Sequence, residues 1–149
     1  MSAVVRDLSA AHAEVKAEIT RTDSKASLLL AFIGAVLAGV WSAGKDLPLT
    51  AYALAPGLAG IAVLLGAAAL LLSSVRPNLS GRHGFPLWAT LTPEQIREAM
   101  AIDIATDIAG LSRIAVLKFT GLRRAIDLTR IGGVLLIVAA LVRAFGGAA

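Results

Sequence analysis

Between Ala26 and Gly44 the chain runs uncharged for about the thickness of a bilayer, and no other stretch limits its fold as strongly. A helix rises about 1.5 Å per residue, so a hydrocarbon core of about 30 Å takes roughly 20 apolar residues. Residues 26–44 meet that length, which predicts a transmembrane helix rather than a buried core helix. Glu18, Arg21, Asp23 and Lys25 stand directly before the run, with no turn signal between. A cleaved signal peptide fits poorly. The apolar run starts late, its leader carries both charge signs, and helical periodicity precedes it. Along the span Ser27, Ala31, Ala35, Gly39 and Ala43 recur every four residues. That spacing sets them on one face, where lost side-chain volume lets another helix approach closely.

Residues 3–25 read as an amphipathic helix leading straight into this span. Val4, Leu8, Ala11, Val15 and Ile19 follow three- and four-residue steps, while Arg6, Glu14, Lys16 and Glu18 fill much of the remainder. Such a stripe needs a helical partner. After the tight Gly44-Lys45-Asp46 connection, with Asp46 and Pro48 resembling a helix start, a second apolar stretch covers 48–75 and is long enough to span with tilt. Pro56 removes one intrahelical hydrogen bond and is expected to kink this helix near one end. Gly57 and Gly60 beside it offer thin surface for packing. Arg76-Pro77 then stops the helix.

Residues 78–91 form the one long loop, in which Phe85 and Trp88 suit the headgroup level and His83 reads as a solvated side chain. Thr92-Pro93-Glu94-Gln95 is a strong helix start: Thr92 caps, Pro93 fits the first position, and Gln95 completes a capping box. An apolar stripe through Ile96, Ile104, Ile108, Leu111, Ala115, Leu122 and Ile126 predicts a helix over 93–130. Its expected partner is the helix over 3–25, the two forming an antiparallel cytoplasmic stalk. The final apolar stretch reaches span length over 131–149 if Arg143 snorkels to the far interface. The fold class is thus all-α, with three transmembrane helices at about 26–44, 48–75 and 131–149 in a single domain over 1–149.

Charge gives this arrangement an orientation. Twelve of the fourteen basic residues fall in 1–25 and 76–130, against one in the 44–46 turn and one in the tail. Positive-inside placement then puts the N-terminus in the cytoplasm of a multi-pass inner-membrane protein. With 57% hydrophobic and only 16% charged residues, the chain is too apolar for an ordinary soluble domain. Its net +4 therefore suits an anionic leaflet better than nucleic acid. The absence of cysteine excludes disulfides, thiolate catalysis and Cys-based metal sites. His12 and His83 lie far apart, so no metal centre and no cofactor is expected.

No enzyme motif is present: no phosphate-cradling loop with a Lys, no nucleophile elbow, no HExxH. The carboxylate pairs Asp103/Asp107 and Glu94/Glu98 have i, i+4 spacing, which solvated helix surface explains. More informative are the charges around the membrane edge. Arg21 and Lys25 share a face, Glu18 and Arg21 are three apart, and Lys118, Arg123, Arg124, Asp127 and Arg130 crowd the end of the 93–130 helix. Juxtamembrane ion pairs with headgroup contacts are one outcome, and a phosphate-sized anion site is another.

The run Glu18-x-x-Arg21-x-Asp23-x-Lys25-Ala26-Ser27 leading into a span resembles the Pycsar effector domain family, the bacterial membrane effectors called PycTM. So do Arg76-Pro77 closing the second span and Lys118-Phe119-x-x-Leu122-Arg123-x-Ala125 before the last. By position Arg21, Asp23, Lys25, Lys118 and Arg123 correspond to family motif residues. The resemblance implies antiphage defence beside a pyrimidine cyclase, whose cyclic CMP or cyclic UMP triggers the effector to impair the inner membrane as an oligomer. The expected ligand cluster is then Glu18, Arg21, Asp23, Lys25, Lys118 and Arg123. The expected packing positions are Ser27, Ala31, Ala35, Gly39, Ala43, Gly57 and Gly60. The alternatives are a constitutive membrane scaffold, or a holin-type pore-former that ignores nucleotides.

Overall fold

The computed structural model describes residues 3–45, 51–75, 89–96 and 104–146. Three long helices account for most of them: α1 over Ala3–Gly44, α2 over Ala51–Val75 and α3 over Ile104–Gly146. The fold is all-α, and each of these helices is long and apolar enough to cross a membrane. The Asp46 and Pro48 helix start, the loop aromatics Phe85 and Trp88, His83, Arg76-Pro77, Glu98 and Asp103 lie outside the described residues.

Local sequence explains each element. α1 has no proline, and its first glycine is Gly34, so nothing breaks the helix between its charged and apolar halves. α2 tolerates Pro56 in its second turn, where little of the helix lies upstream to be disrupted, and continues to Val75. The predicted start at Thr92 is present as a reciprocal cap. The Thr92 backbone N–H donates to Gln95 Oε1 at 2.9 Å, and the Gln95 N–H donates to Thr92 Oγ1 at 3.4 Å. A helical turn at 93–96 follows. α3 then passes through Arg130 without the boundary that the change in polarity suggested between 93–130 and 131–149. Arg is a good helix former, so a change from polar to apolar neighbours alone gives the backbone no reason to stop.

The chain divides into two units, each drawing on both α1 and α3. The first contains residues 3–23, 89–96 and 104–119 among those described. Within it His12 lies 3.3 Å from Asp107, and Asp23 lies 2.7 Å from Lys118, both pairs offset by 95 residues. A constant offset means that the two segments run parallel. The antiparallel stalk expected from the sequence is therefore corrected to a parallel pair. Two apolar stretches separate these segments, and an even number of crossings sends the second toward its own span in the direction of the first. Thr22 is buried on this face of α1 and satisfies its hydroxyl by donating to the Glu18 carbonyl at 2.9 Å.

The second unit contains residues 24–45, 51–75 and 120–146 among those described. Its core is small and aliphatic, built on Ile33 of α1, Leu64, Ala67 and Leu71 of α2, and Leu122 and Ala125 of α3. α2 and α3 are antiparallel, with Gly57 opposite Ala139, Gly60 opposite Gly132 and Ser74 opposite Gly121. Between apolar helices in lipid, close van der Waals contact replaces water expulsion as the attractive force. The Gly60–Gly132 crossing provides it. A Cβ added at either glycine would stand 3.1 Å from the carbonyl oxygen of the other. Outside this core the helices are greasy. Only 11% of the most apolar window of α1, 22% of that of α2 and 17% of that of α3 is buried. Leu28, Leu65, Leu72 and Ile137 all face outward. Such a surface needs lipid around it.

Candidate functional site in the charged unit

The site begins with helical spacing. Glu14, Glu18 and Arg21 stand three or four residues apart on α1, while Ser112, Val116 and Phe119 do so on α3. Because the two segments are parallel, these faces meet along a groove of about 730 Å³ lined by all six. Arg21 lies at the rim with its side chain 73% exposed, and one guanidinium nitrogen stands 3.5 Å from Glu18 Oε2. That is a long contact in high dielectric and holds the guanidinium weakly.

Lys118 is placed differently. Its ammonium donates to both oxygens of Asp23, at 2.7 and 2.8 Å, with the lysine side chain only 22% exposed. Both distances are those of charge-assisted hydrogen bonds. One residue from each half of the predicted cluster is thus brought together, and the link fixes the register of α1 against α3. His12 is also half-buried here. Its Nε2 stands 3.3 Å from Asp107 Oδ2 without the alignment of a hydrogen bond.

Four of the six predicted ligand residues, Glu18, Arg21, Asp23 and Lys118, therefore lie in this unit. Lys25 and Arg123 belong to the second unit, where both are exposed. Glu14 and Ser112 line the groove but were absent from the predicted set. The signal for them was the shared face, since Glu14 precedes Glu18 by one turn and Ser112 precedes Phe119 by two. Of the predicted packing positions, Gly57 and Gly60 meet α3. Ser27, Ala31, Ala35, Gly39 and Ala43 are all exposed, and a Cβ at Gly39 would meet nothing within 4 Å. Ala43 lines an open cleft together with residues of α2 and α3. Gly132 is the packing residue the sequence reading missed; its position in the last apolar stretch marked it.

The groove combines a fork-shaped cation able to grip a phosphodiester, an aromatic face on which a base can stack, and hydroxyl and carboxylate acceptors able to read an exocyclic amine. The model of the Pycsar effector protein domain, PycTM, matches residues 7–145. The chain belongs to this family. The PycTM match takes in both units and all three long helices. Membership makes a membrane effector of antiphage defence the functional class. No curated protein and no solved structure matches the chain.

Proposed function

We propose that this PycTM protein is an inner-membrane effector that responds to cyclic CMP or cyclic UMP by impairing membrane integrity. Membership over residues 7–145 carries the reading, and the Arg21 groove supports it with chemistry suited to a phosphate monoanion beside a pyrimidine. The N-terminus and the charged unit face the cytoplasm, in keeping with the concentration of basic residues there. Several copies assemble through the exposed stripe from Ser27 to Ala43, whose small side chains let helices from neighbouring copies approach closely. The protein is not an enzyme: the nucleotide acts by preferring one packing of α1 against α3, and only such a difference in affinity can shift a population.

The test is thermal unfolding of the detergent-solubilised protein against a panel of cyclic mononucleotides. A ligand that prefers the folded state stabilises it by about 2.7 kcal/mol at a hundred times its dissociation constant. A rise in midpoint with cyclic CMP or cyclic UMP and none with cyclic AMP is expected. A flat response across the panel would leave the holin-type or scaffold readings in its place.

A further inference from the structure

Within the second unit the contacts between α2 and α3 fix the depth of each residue. Gly121 lies beside Ser74 near one end of α2, Gly132 packs between Gly60 and Leu64, and Ala139 meets Gly57 toward the other end. α2 is about 36 Å long at 1.5 Å per residue, a little more than a hydrocarbon core of about 30 Å, and Val63 is its midpoint. Arg130, two residues before Gly132, is therefore level with the middle of α2, and Asp127 stands about 4.5 Å nearer the Ser74 end. From the middle of the core to its edge is about 15 Å, beyond the reach of a snorkelling side chain. Arg123 and Arg124, close to the Gly121 level, stand at that edge instead.

Both deep charges point away from the core of the unit. The Arg130 side chain is 78% exposed and that of Asp127 58%, and they approach only to 4.0 Å across one turn of the same helix. Such a contact is weak even in water, and in hydrocarbon it leaves both groups short of hydrogen bonds. The sequence of this unit holds one other acid, Asp46. Asp46 follows Lys45, which lines the cleft beside Arg143, about 20 Å along α3 from Arg130. The two charges also belong to a longer pattern. Arg123, Asp127, Arg130, Val134, Ile137 and Leu141 succeed one another by alternating steps of four and three residues, and all six are exposed. That spacing is the seam along which two helices pack.

We propose that this seam packs in parallel against the same seam of a second copy, Asp127 of each copy accepting the Arg130 guanidinium of the other. Copies inserted in one direction meet at equal depth. Helical side chains lean toward the N-terminus, so Arg130, nearly one turn deeper, leans back to the level of the facing Asp127. Two-fold symmetry makes the pair twice. Charge complementarity selects this occupant. Lipid tails carry no counter-charge at this depth, and neither does the α1 stripe from Ser27 to Ala43. Polar residues within a seam also fix its register and partner, while Val134, Ile137 and Leu141 supply its apolar length.

The experiment places Val134→Cys in the full chain, which has no other cysteine, and oxidises native membranes with no nucleotide added. A crosslinked dimer should form well above the level given by Leu72→Cys, an exposed position on α2. Adding Asp127→Arg or Arg130→Asp sets like charges across the seam and should cut the yield about tenfold or more. Co-expressing the two charge variants under different tags should restore crosslinking between unlike tags, which also shows that each variant inserts and folds. A yield at Val134→Cys no greater than at Leu72→Cys would overturn the pairing. So would a yield unmoved by either reversal, or no preference for unlike tags, which would leave Asp127 and Arg130 serving each other within one copy.

Discussion

The Lys118 ammonium donates to both carboxylate oxygens of Asp23, joining residues 95 positions apart in the charged unit. Neither side chain is fully buried, at 22% and 39% exposed, so the pair is worth more than a surface ion pair and less than a desolvated one. A double-mutant cycle of Asp23→Ala and Lys118→Ala should give a coupling free energy of about 1 kcal/mol, read from unfolding in detergent. Additive single effects would mean that the contact contributes nothing to the register of α1 and α3.

Glycine substitutions should separate by position. At Gly132 an added Cβ would meet the Leu64 side chain at 2.8 Å and the Gly60 carbonyl at 3.1 Å, and Leu64 is itself only 1% exposed and has no room to give. Gly132→Val should lower stability by about 1–3 kcal/mol through overpacking. At Gly34 a Cβ meets nothing within 4 Å, and Gly34→Ala should be neutral or stabilising by up to about 1 kcal/mol, since alanine is the better helix former. Melting temperatures of the two variants in one detergent check the contrast.

Arg21 is exposed, and its side-chain contact among the described residues is the long 3.5 Å one with Glu18, so removing it should leave the fold intact. If the groove takes a cyclic nucleotide, Arg21→Ala loses a charged hydrogen bond of about 1.5–3 kcal/mol, a fall in affinity of about ten- to a hundredfold. Arg21→Lys should keep the charge but lose the fork and fall between the two. Nucleotide titrations followed by thermal midpoint distinguish the three proteins, and an unchanged ligand-free midpoint shows that the fold is spared.

The exposed stripe makes its own prediction. The sequence contains no cysteine, so Gly39→Cys introduces a single thiol. Oxidation in membranes should give a crosslinked dimer, and adding Ala35→Leu to the same chain should suppress it by blocking close approach. The melting temperature of a single copy should not move, because Ala35 is exposed.

At the start of the 93–96 turn, Thr92 and Gln95 satisfy each other's backbone donors. Replacing Thr92 by Ala should cost about 1 kcal/mol of local stability. Amide hydrogen exchange at residues 93–96 should accelerate about fivefold, with the exchange of residues 60–71 unchanged.

Apolar run length and capping chemistry are local properties, and they made the three spans and the Thr92 start legible in the sequence. Gly57 and Gly60 were legible for the same reason, since small residues on a spanning helix announce close packing. Direction is a different kind of information. The faces of residues 3–25 and 93–130 suit either orientation, and the parallel arrangement is read from the contacts His12–Asp107 and Asp23–Lys118, which share one offset. The partner of Asp23 was equally out of reach, because several cations stand near the membrane edge and only the register of α1 against α3 selects Lys118 over Arg123 or Arg124. The groove was half legible: Glu18 and Arg21 stood out by charge, whereas Ser112 joins them only once the register of α1 and α3 is fixed.

The Thr129 hydroxyl closes on the Ala125 carbonyl at 2.7 Å, and among the described residues the other buried side chains of the second unit are aliphatic. A hydrated ion entering between these three helices would find no ring of oxygens to replace its water shell among the described residues, since the Thr129 hydroxyl is already given to Ala125. One isolated copy is in this sense an insulator. On the function proposed above, a leak would open where copies abut one another or where they disturb the surrounding lipid.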